Sequence, residues 1–320
     1  MLVEPLRYAR SVTRRSRATA LAGSAVAALA APQVAAAHVA TGPASRVGDD
    51  WHAPPAVLAI AALGTVLFVQ AFVRLRRRGR ADHAGWDRPA LFAAGLALGV
   101  LPLVSPLDAA GDHYLLSAHM LQHVLIGDAA PLLLVLAVRG PLVFFLLPPS
   151  VLKPLASFDP LRAFLRTLLR PGVSFGLWVA VMLGWHVPAA YDFTLSHAVV
   201  HDVEHATFVL VGTLAWVQLI DPARHGRLSR GGRIAFAFGL FVLSQPIMDG
   251  LLFAPSAVYH PYAAQPDRLL GLSVMTDQRL AGAVMLVEQL LTLGTFIAVL
   301  LWPLLRGRRG ARAIAVQRPA

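Results

Sequence analysis

The sequence predicts an all-α integral membrane protein, a bundle of seven transmembrane helices. Of its 320 residues, 57% are hydrophobic and only 14% are charged, whereas soluble domains are about a quarter charged. The apolar residues also fall in separate runs of about 20, the length that crosses a bilayer. The predicted spans are residues 54–73, 88–106, 115–138, 171–188, 198–220, 233–254 and 279–305.

Basic residues between these runs predict the orientation of the helices. Twenty Lys and Arg residues lie in the joints after the first, third, fifth and seventh spans, and three lie in the opposite joints. Because basic residues stay on the cytoplasmic side, the bundle is predicted to have its N-terminus outside and its C-terminus in the cytoplasm. The net charge of +11 then reflects membrane topology, so the lipid bilayer is an expected partner and nucleic acid is not.

The N-terminal segment has the layout of a secretory signal. Five arginines precede the apolar run ATALAGSAVAALAAPQVAAA, which ends in Ala-x-Ala steps before His38. Residues 1–38 are therefore predicted to be either a cleavable signal peptide or an uncleaved signal anchor. Residues 39–53 would form an extracytoplasmic lead-in, residues 54–305 the seven-helix transmembrane domain, and residues 306–320 a basic cytoplasmic tail.

Histidines gather at one end of the predicted bundle. Ten of the twelve histidines fall on the side predicted to be outside. His119 and His123 are four residues apart, as are His201 and His205, and such pairs lie on one helix face about 6 Å apart along the axis. His197 is expected to extend the second pair by one turn. Two pairs on separate helices could close a site of three or four nitrogens in the bundle core.

These side chains predict a metal site without thiolate ligands. The chain has no cysteine, so a metal must be held by His, Met, Asp or Glu. Imidazole and thioether donors suit copper, with zinc and haem iron as alternatives. Glu204 is expected on the same face as the second histidine pair, and Met182 lies one turn from His186. The candidate metal ligands are His119, His123, His186, His201, His205 and Glu204.

Three acids lie inside the predicted spans without Lys or Arg beside them in sequence: Asp128, Asp249 and Glu288. Intramembrane acids are functional candidates by default, and the plainest alternative is that they are protonated and hydrogen-bonded. Asp249 and Glu288 fall in the outer halves of their spans, where they could complete a metal site or orient its imidazoles. Asp128 lies deeper, and the sequence assigns it no role.

Four blocks of sequence resemble the polytopic CtaG family, assembly factors for caa-type cytochrome c oxidase. The blocks are SAHMLQHVLIGDAAPLLLVLAVRGP, WHVPAAYDFTLSH, HDVEHATFVLVGTLAW and DQRLAGAVM, and their order and spacing agree with the family over about residues 51–305. By motif, the resemblance points to His119, Met120, His123, Trp185, His186, Pro188, His201, Glu204, His205, Asp277 and Gln278. Asp277 thereby joins the candidate metal ligands.

The resemblance also implies a role. A member of this family would be a multi-pass protein of the bacterial cell (inner) membrane and not an enzyme. It would supply or insert copper during oxidase maturation, with a copper ion and cytochrome c oxidase subunits as partners. Copper enters bacterial oxidases from the outer face, the side on which the histidines are predicted to lie.

Other functions remain open. A b-type haem protein would clamp haem between one histidine of each pair. A copper transporter would need polar groups that continue to the cytoplasmic side, where the predicted spans are poor in His and Met. HDVEH also matches the H-x-x-E-H pattern of inverted zincin proteases, but five residues with two free positions are a weak signal and no third ligand is evident.

Overall fold

The protein is built from helices connected by short segments. The structure is a computed structural model that describes residues 44–303, and no strand occurs in that range. Its helices are α1 (Pro55–Arg77), α2 (Asp87–Val104), α3 (Pro106–His113), α4 (Leu116–Ala137), α5 (Pro149–Ser157), α6 (Asp159–Leu168), α7 (Pro171–Trp185), α8 (Pro188–Ser196), α9 (Ala198–Ile220), α10 (Arg230–Phe253), α11 (His260–Ala264) and α12 (Val274–Pro303). Short 3-10 turns lie at Ala44–Asp49, Ala81–His83, Gly140–Phe145 and Leu269–Gly271.

Six helices in the described range are long and apolar enough to cross a membrane. They are α1, α2 with the turn before it, α4, α9, α10 and α12, and they contain 22 to 30 residues each. They correspond to six of the seven predicted spans. Large apolar side chains cover their outer surfaces, for example Ile60, Leu291 and Val299, which are 70%, 68% and 64% exposed. Soluble monomers rarely expose such continuous apolar surface, so these surfaces suit contact with lipid.

The predicted span over residues 171–188 differs from the other six. It contains the 15-residue helix α7, which is about 22 Å long at 1.5 Å per residue. Prolines explain both ends, because Pro171 and Pro188 begin α7 and α8 and the residue before each has extended backbone. Helices α6 and α7 are bent by 69° against each other and would count as a seventh crossing only if taken together.

The predicted terminal segments lie outside the described residues. This applies to the signal segment of residues 1–38 and to the basic tail of residues 306–320. The predicted lead-in, residues 39–53, enters the described range at Ala44, where a 3-10 turn begins. Val47 from this turn packs against a small apolar cluster that includes Tyr114.

Close packing of α4 against α9 positions the two histidine pairs. Helix α4 contains a π turn at Leu125–Ala129, and Gly127 within it faces Gly212 of α9. A Cβ atom on Gly212 would collide with the carbonyl oxygen of Gly127, and one on Gly127 would lie 3.1 Å from the Cβ of Phe208. Because neither glycine has a side chain, the two backbones approach closely, as small residues allow in membrane bundles. The histidine pairs lie one to three turns from this contact.

Candidate metal centre

Four imidazoles meet where α4 and α9 face each other, and we call them the four-histidine group: His119, His123, His201 and His205. One potential ligand atom from each lies within 4.8 Å of the others. The Nε2 atoms of His119 and His123 are 2.9 Å apart, and Nε2 of His201 lies 3.3 Å from that of His119. Nitrogens bound to a tetrahedral metal at 2.0–2.1 Å lie about 3.3 Å from one another. The predicted approach of the two pairs is confirmed, and these two separations are close to those of a four-nitrogen metal site.

The four imidazoles are shielded from solvent. His119 is fully buried, and the other three are 5% to 9% exposed. Their rings contact one another and also the rings of Tyr191, Tyr262 and Phe208. An aromatic wall of this kind limits the access of bulk solvent to the group, which strengthens any electrostatic interaction made there.

Tyr262 determines which nitrogen of His119 carries the proton. The Tyr262 hydroxyl oxygen lies 2.7 Å from the carbonyl oxygen of Gly111 and 2.7 Å from Nδ1 of His119. A carbonyl oxygen can only accept, so the hydroxyl donates its one proton to Gly111 and accepts a hydrogen bond from Nδ1 of His119. In neutral His119, Nε2 then presents a lone pair to the other three imidazoles. An outer hydrogen bond of this type is the usual support of a metal-binding histidine.

Asp277 holds the first turn of α4 in place. Its carboxylate accepts hydrogen bonds from the backbone N–H groups of Leu116 at 2.8 Å and Ser117 at 3.1 Å, and from the Ser117 hydroxyl at 2.5 Å. These are N–H groups that the start of a helix leaves without a partner inside the helix. The structure therefore does not bring Asp277 into the four-histidine group, and it connects α12 to the helix that carries His119 and His123.

Two buried carboxyl groups border the four-histidine group. An oxygen of Asp112 lies 3.7 Å from Nε2 of His201. Burial, followed by the nearby Asp108 and Glu204, raises the pKa of Asp112 well above its ordinary value. Glu204 is fully buried on α9, and neither of its carboxyl oxygens has a hydrogen-bond partner among residues 44–303. Glu204 lies between His201 and His205 in sequence but outside the set of atoms that lie within 4.8 Å of one another.

His186 and His197 lie apart from the four-histidine group. Nδ1 of His186 lies 2.7 Å from the carbonyl oxygen of Met182 and therefore donates to it, while Nε2 is buried and has no hydrogen-bond partner in the described range. His197 was expected to extend the second pair, and that prediction is wrong. It has extended backbone just before α9 begins, and its exposed ring stacks on Phe193 at 3.9 Å.

The intramembrane acids also lie outside the four-histidine group. Asp249 is exposed on α10. Glu288 lines a cavity together with Asp128 and His123. Neither Asp249 nor Glu288 therefore completes the group, which leaves the expected role of these two acids unsupported by the geometry.

Sequence reasoning missed two residues that contact the group, Asp112 and Tyr262. Both come from α3 and α11, short helices between the spans. The length of apolar runs, which locates the spans, does not predict the positions of such helices. The sequence signals that could have pointed to these two residues were the nearby histidines His113 and His260. A further clue is Gly111, where a Cβ atom would lie 3.0 Å from the backbone nitrogen and Cα of His119. Such a close approach requires glycine at that position.

A comparison with protein families identifies the chain. The family model described as cytochrome c oxidase caa3 assembly factor (Caa3_CtaG) matches residues 66–307, which is more than half of the 320 residues and includes the four-histidine group. Searches of the curated proteins and of the solved structures find no match. The match confirms the resemblance of the four sequence blocks. The chain belongs to the family of cytochrome c oxidase caa3 assembly factors.

Proposed function

We propose that the protein assists the assembly of cytochrome c oxidase by binding copper at the four-histidine group and releasing it to an oxidase subunit. Membership of the family supports the assembly role. The observation that carries the copper proposal is the convergence of four buried imidazoles within 4.8 Å. Imidazole nitrogens suit copper, and the chain has no cysteine that would supply a thiolate instead.

Release is favoured by the chemistry of this ligand set. Imidazole binds a metal only when its nitrogen is unprotonated, so metal affinity falls as pH falls. Four neutral ligands also leave the charge of a bound cation uncompensated within the set. The buried carboxyl groups of Asp112 and Glu204 are the nearest groups able to supply negative charge. The four-histidine group thus resembles a site for metal exchange more than a closed structural site.

The charge pattern supports a location for the site. Twenty basic residues in the joints at one end of the spans, against three at the other, favour a bundle in the bacterial cell membrane with its N-terminus outside and its C-terminus in the cytoplasm. In that orientation the four-histidine group lies near the outer face. Copper would reach it, and leave it for the oxidase, without crossing the membrane.

Haem is less well accommodated by the same histidines. Two imidazoles that bind one haem face each other across the porphyrin plane, which keeps their rings apart. Here neighbouring imidazole ring centroids are only 4.1 to 5.2 Å apart, three pairs edge to face and the His201–His205 pair tilted by 56°. A set of rings in mutual contact favours a single small ion.

The test is replacement of His201 and His205 together by alanine in the full-length protein. Alanine keeps the helix, while two of the four proposed ligands are lost. We expect copper affinity to fall by more than the 10 to 100-fold typical of an outer hydrogen bond, and oxidase activity in the membrane to fall with it. His197→Ala is the matched control, since its exposed ring precedes the same helix, and it should retain copper and oxidase.

Metal analysis and absorption spectra of the purified proteins separate the outcomes. Equal copper content and equal oxidase activity in wild type and double variant, at matched protein levels, would reject the proposal. Loss of a Soret band would identify a haem protein instead. Loss of oxidase activity with unchanged copper content would also overturn the copper role, while leaving the family's assembly role intact.

A further inference from the structure

A second polar cluster lies deeper in the bundle than the four-histidine group. Asp128 belongs to the π turn of α4, and Glu288 lies two residues before a π turn of α12, Leu290–Gly294. Nε1 of Trp216 donates to one oxygen of Asp128 at 2.5 Å. The Thr292 hydroxyl lies 2.8 Å from the other oxygen and 3.1 Å from the backbone carbonyl oxygen of Glu288. Asp128 and Glu288 line the same cavity. Isolated π turns within helices frequently mark functional sites.

Neither acid has a basic partner among the described residues that line the adjoining cavity. Of the side chains that line the adjoining cavity, only those of Asp128, Glu288, His123 and His186 are titratable, and none is Lys or Arg. This holds for every wall of the cavity, which α4, α7, α9, α10 and α12 contribute. Two carboxylates that line one small, mostly apolar cavity cannot both be charged. One proton held by the pair therefore keeps it from carrying two charges.

The cavity connects the acids with the histidines. Its volume is about 40 Å³, room for about three water molecules at 10–15 Å³ each. His123 and His186, which are 5% and 8% exposed, line the same cavity. Nδ1 of His123, Nε2 of His186 and Oε1 of Glu288 are buried without a hydrogen-bond partner among the described residues. Three such atoms around one cavity are the polar partners that buried water requires.

We propose that Asp128 and Glu288 form a proton-binding site within the membrane. The two carboxyl groups hold one proton between them and exchange it with water in the cavity. The ligand is a proton rather than a metal ion, because both Asp128 oxygens are engaged by Trp216 and Thr292 and most of the cavity wall is apolar. This site goes beyond the proposed copper function and does not depend on it.

The test is infrared spectroscopy of the metal-free, full-length protein in lipid vesicles at neutral pH, in H₂O and in D₂O. We expect wild type to show the C=O band of a protonated carboxyl group, shifted in D₂O, and Glu288→Gln to lose that band. The new amide would donate to Asp128 in addition to Trp216, and such hydrogen bonds favour the charged form of the remaining carboxyl group. Asp249→Asn is the control, because this exposed acid lies apart from the cavity, and it should retain the band.

A second variant covers the case in which Glu288→Gln does not fold. Asp128→Asn keeps an oxygen that accepts from Trp216 and leaves Glu288 as the one carboxyl group that lines the cavity. Glu288 should then hold the proton, and the C=O band should move in frequency. Spectra of either variant that are identical to wild type would overturn the proposal. So would a band that is lost in Glu288→Gln but does not shift in D₂O in wild type, since its proton does not exchange. A chelator present throughout makes these outcomes independent of copper binding.

Discussion

The hydroxyl of Tyr262 is the contact through which the surrounding structure orients the four-histidine group. Tyr262→Phe removes one oxygen from a side chain that is 4% exposed. Nδ1–H of His119 and the carbonyl oxygen of Gly111, both 2.7 Å from that oxygen, then lose their partner. A buried polar group without a partner costs about 1–3 kcal/mol. We therefore expect the free energy of unfolding to fall by about 2–6 kcal/mol if both groups stay buried.

The same change should weaken metal binding. Without the acceptor at Nδ1, neutral His119 is free to carry its proton on Nε2, the nitrogen that faces the other imidazoles. Loss of such an outer hydrogen bond typically lowers metal affinity by about 10 to 100-fold, which is about 1.4–2.7 kcal/mol. Competition titration with a copper chelator measures this directly, and unfolding in detergent measures the stability.

Tyr259→Phe is the matched control. The Tyr259 hydroxyl donates to the backbone carbonyl of His186 at 3.2 Å, and its ring stacks on Tyr191 at 4.0 Å, so the change removes the same atom without touching an imidazole nitrogen of the four-histidine group. Copper affinity should be retained in this variant. If Tyr259→Phe and Tyr262→Phe had equal copper affinities, the reasoning about the His119 proton would be refuted.

Two further variants test the packing around the site. Gly212→Ala should push α9 away from Gly127 and lower the stability of the bundle by about 1–3 kcal/mol, as overpacking does. Gly176→Ala is the control and should leave the stability unchanged, because an added Cβ there meets nothing within 4 Å. Equal unfolding curves for the two variants would contradict the close helix contact. Asp277→Ala should cost about 0.5–2 kcal/mol, the worth of a helix cap, with the number of copper ions bound per protein unchanged. A lower copper stoichiometry in that variant would instead identify Asp277 as a ligand.

Six of the spans were predictable because length and apolar composition are sufficient to define them. The run over residues 171–188 is just as apolar, but its average hydrophobicity does not register the prolines at its ends. Pro171 and Pro188 interrupt the helix regardless of the hydrophobicity between them. The bend between α6 and α7 is thus a backbone effect that a hydropathy reading does not detect.

The approach of the histidine pairs was predictable from helical spacing. Residues four apart share a face, and the spacing of His119 to His123 repeats at His201 to His205. The contacts of Asp112 and Tyr262 were not predictable in this way, because they are made by short helices whose positions depend on tertiary packing. Asp277 shows a different difficulty, since a carboxylate that caps a distant helix and one that binds a metal look the same in a sequence.

The glycine contact between α4 and α9 has a consequence for how a metal is captured. The spacing of the four imidazoles is a property of two crossing helices and of the glycines that let them touch, so it exists once the bundle has folded. The conformational entropy of bringing the ligands together is lost during folding and not during metal binding. An arriving ion orders little beyond the side chains themselves, and its departure leaves the same set of nitrogens ready for the next ion.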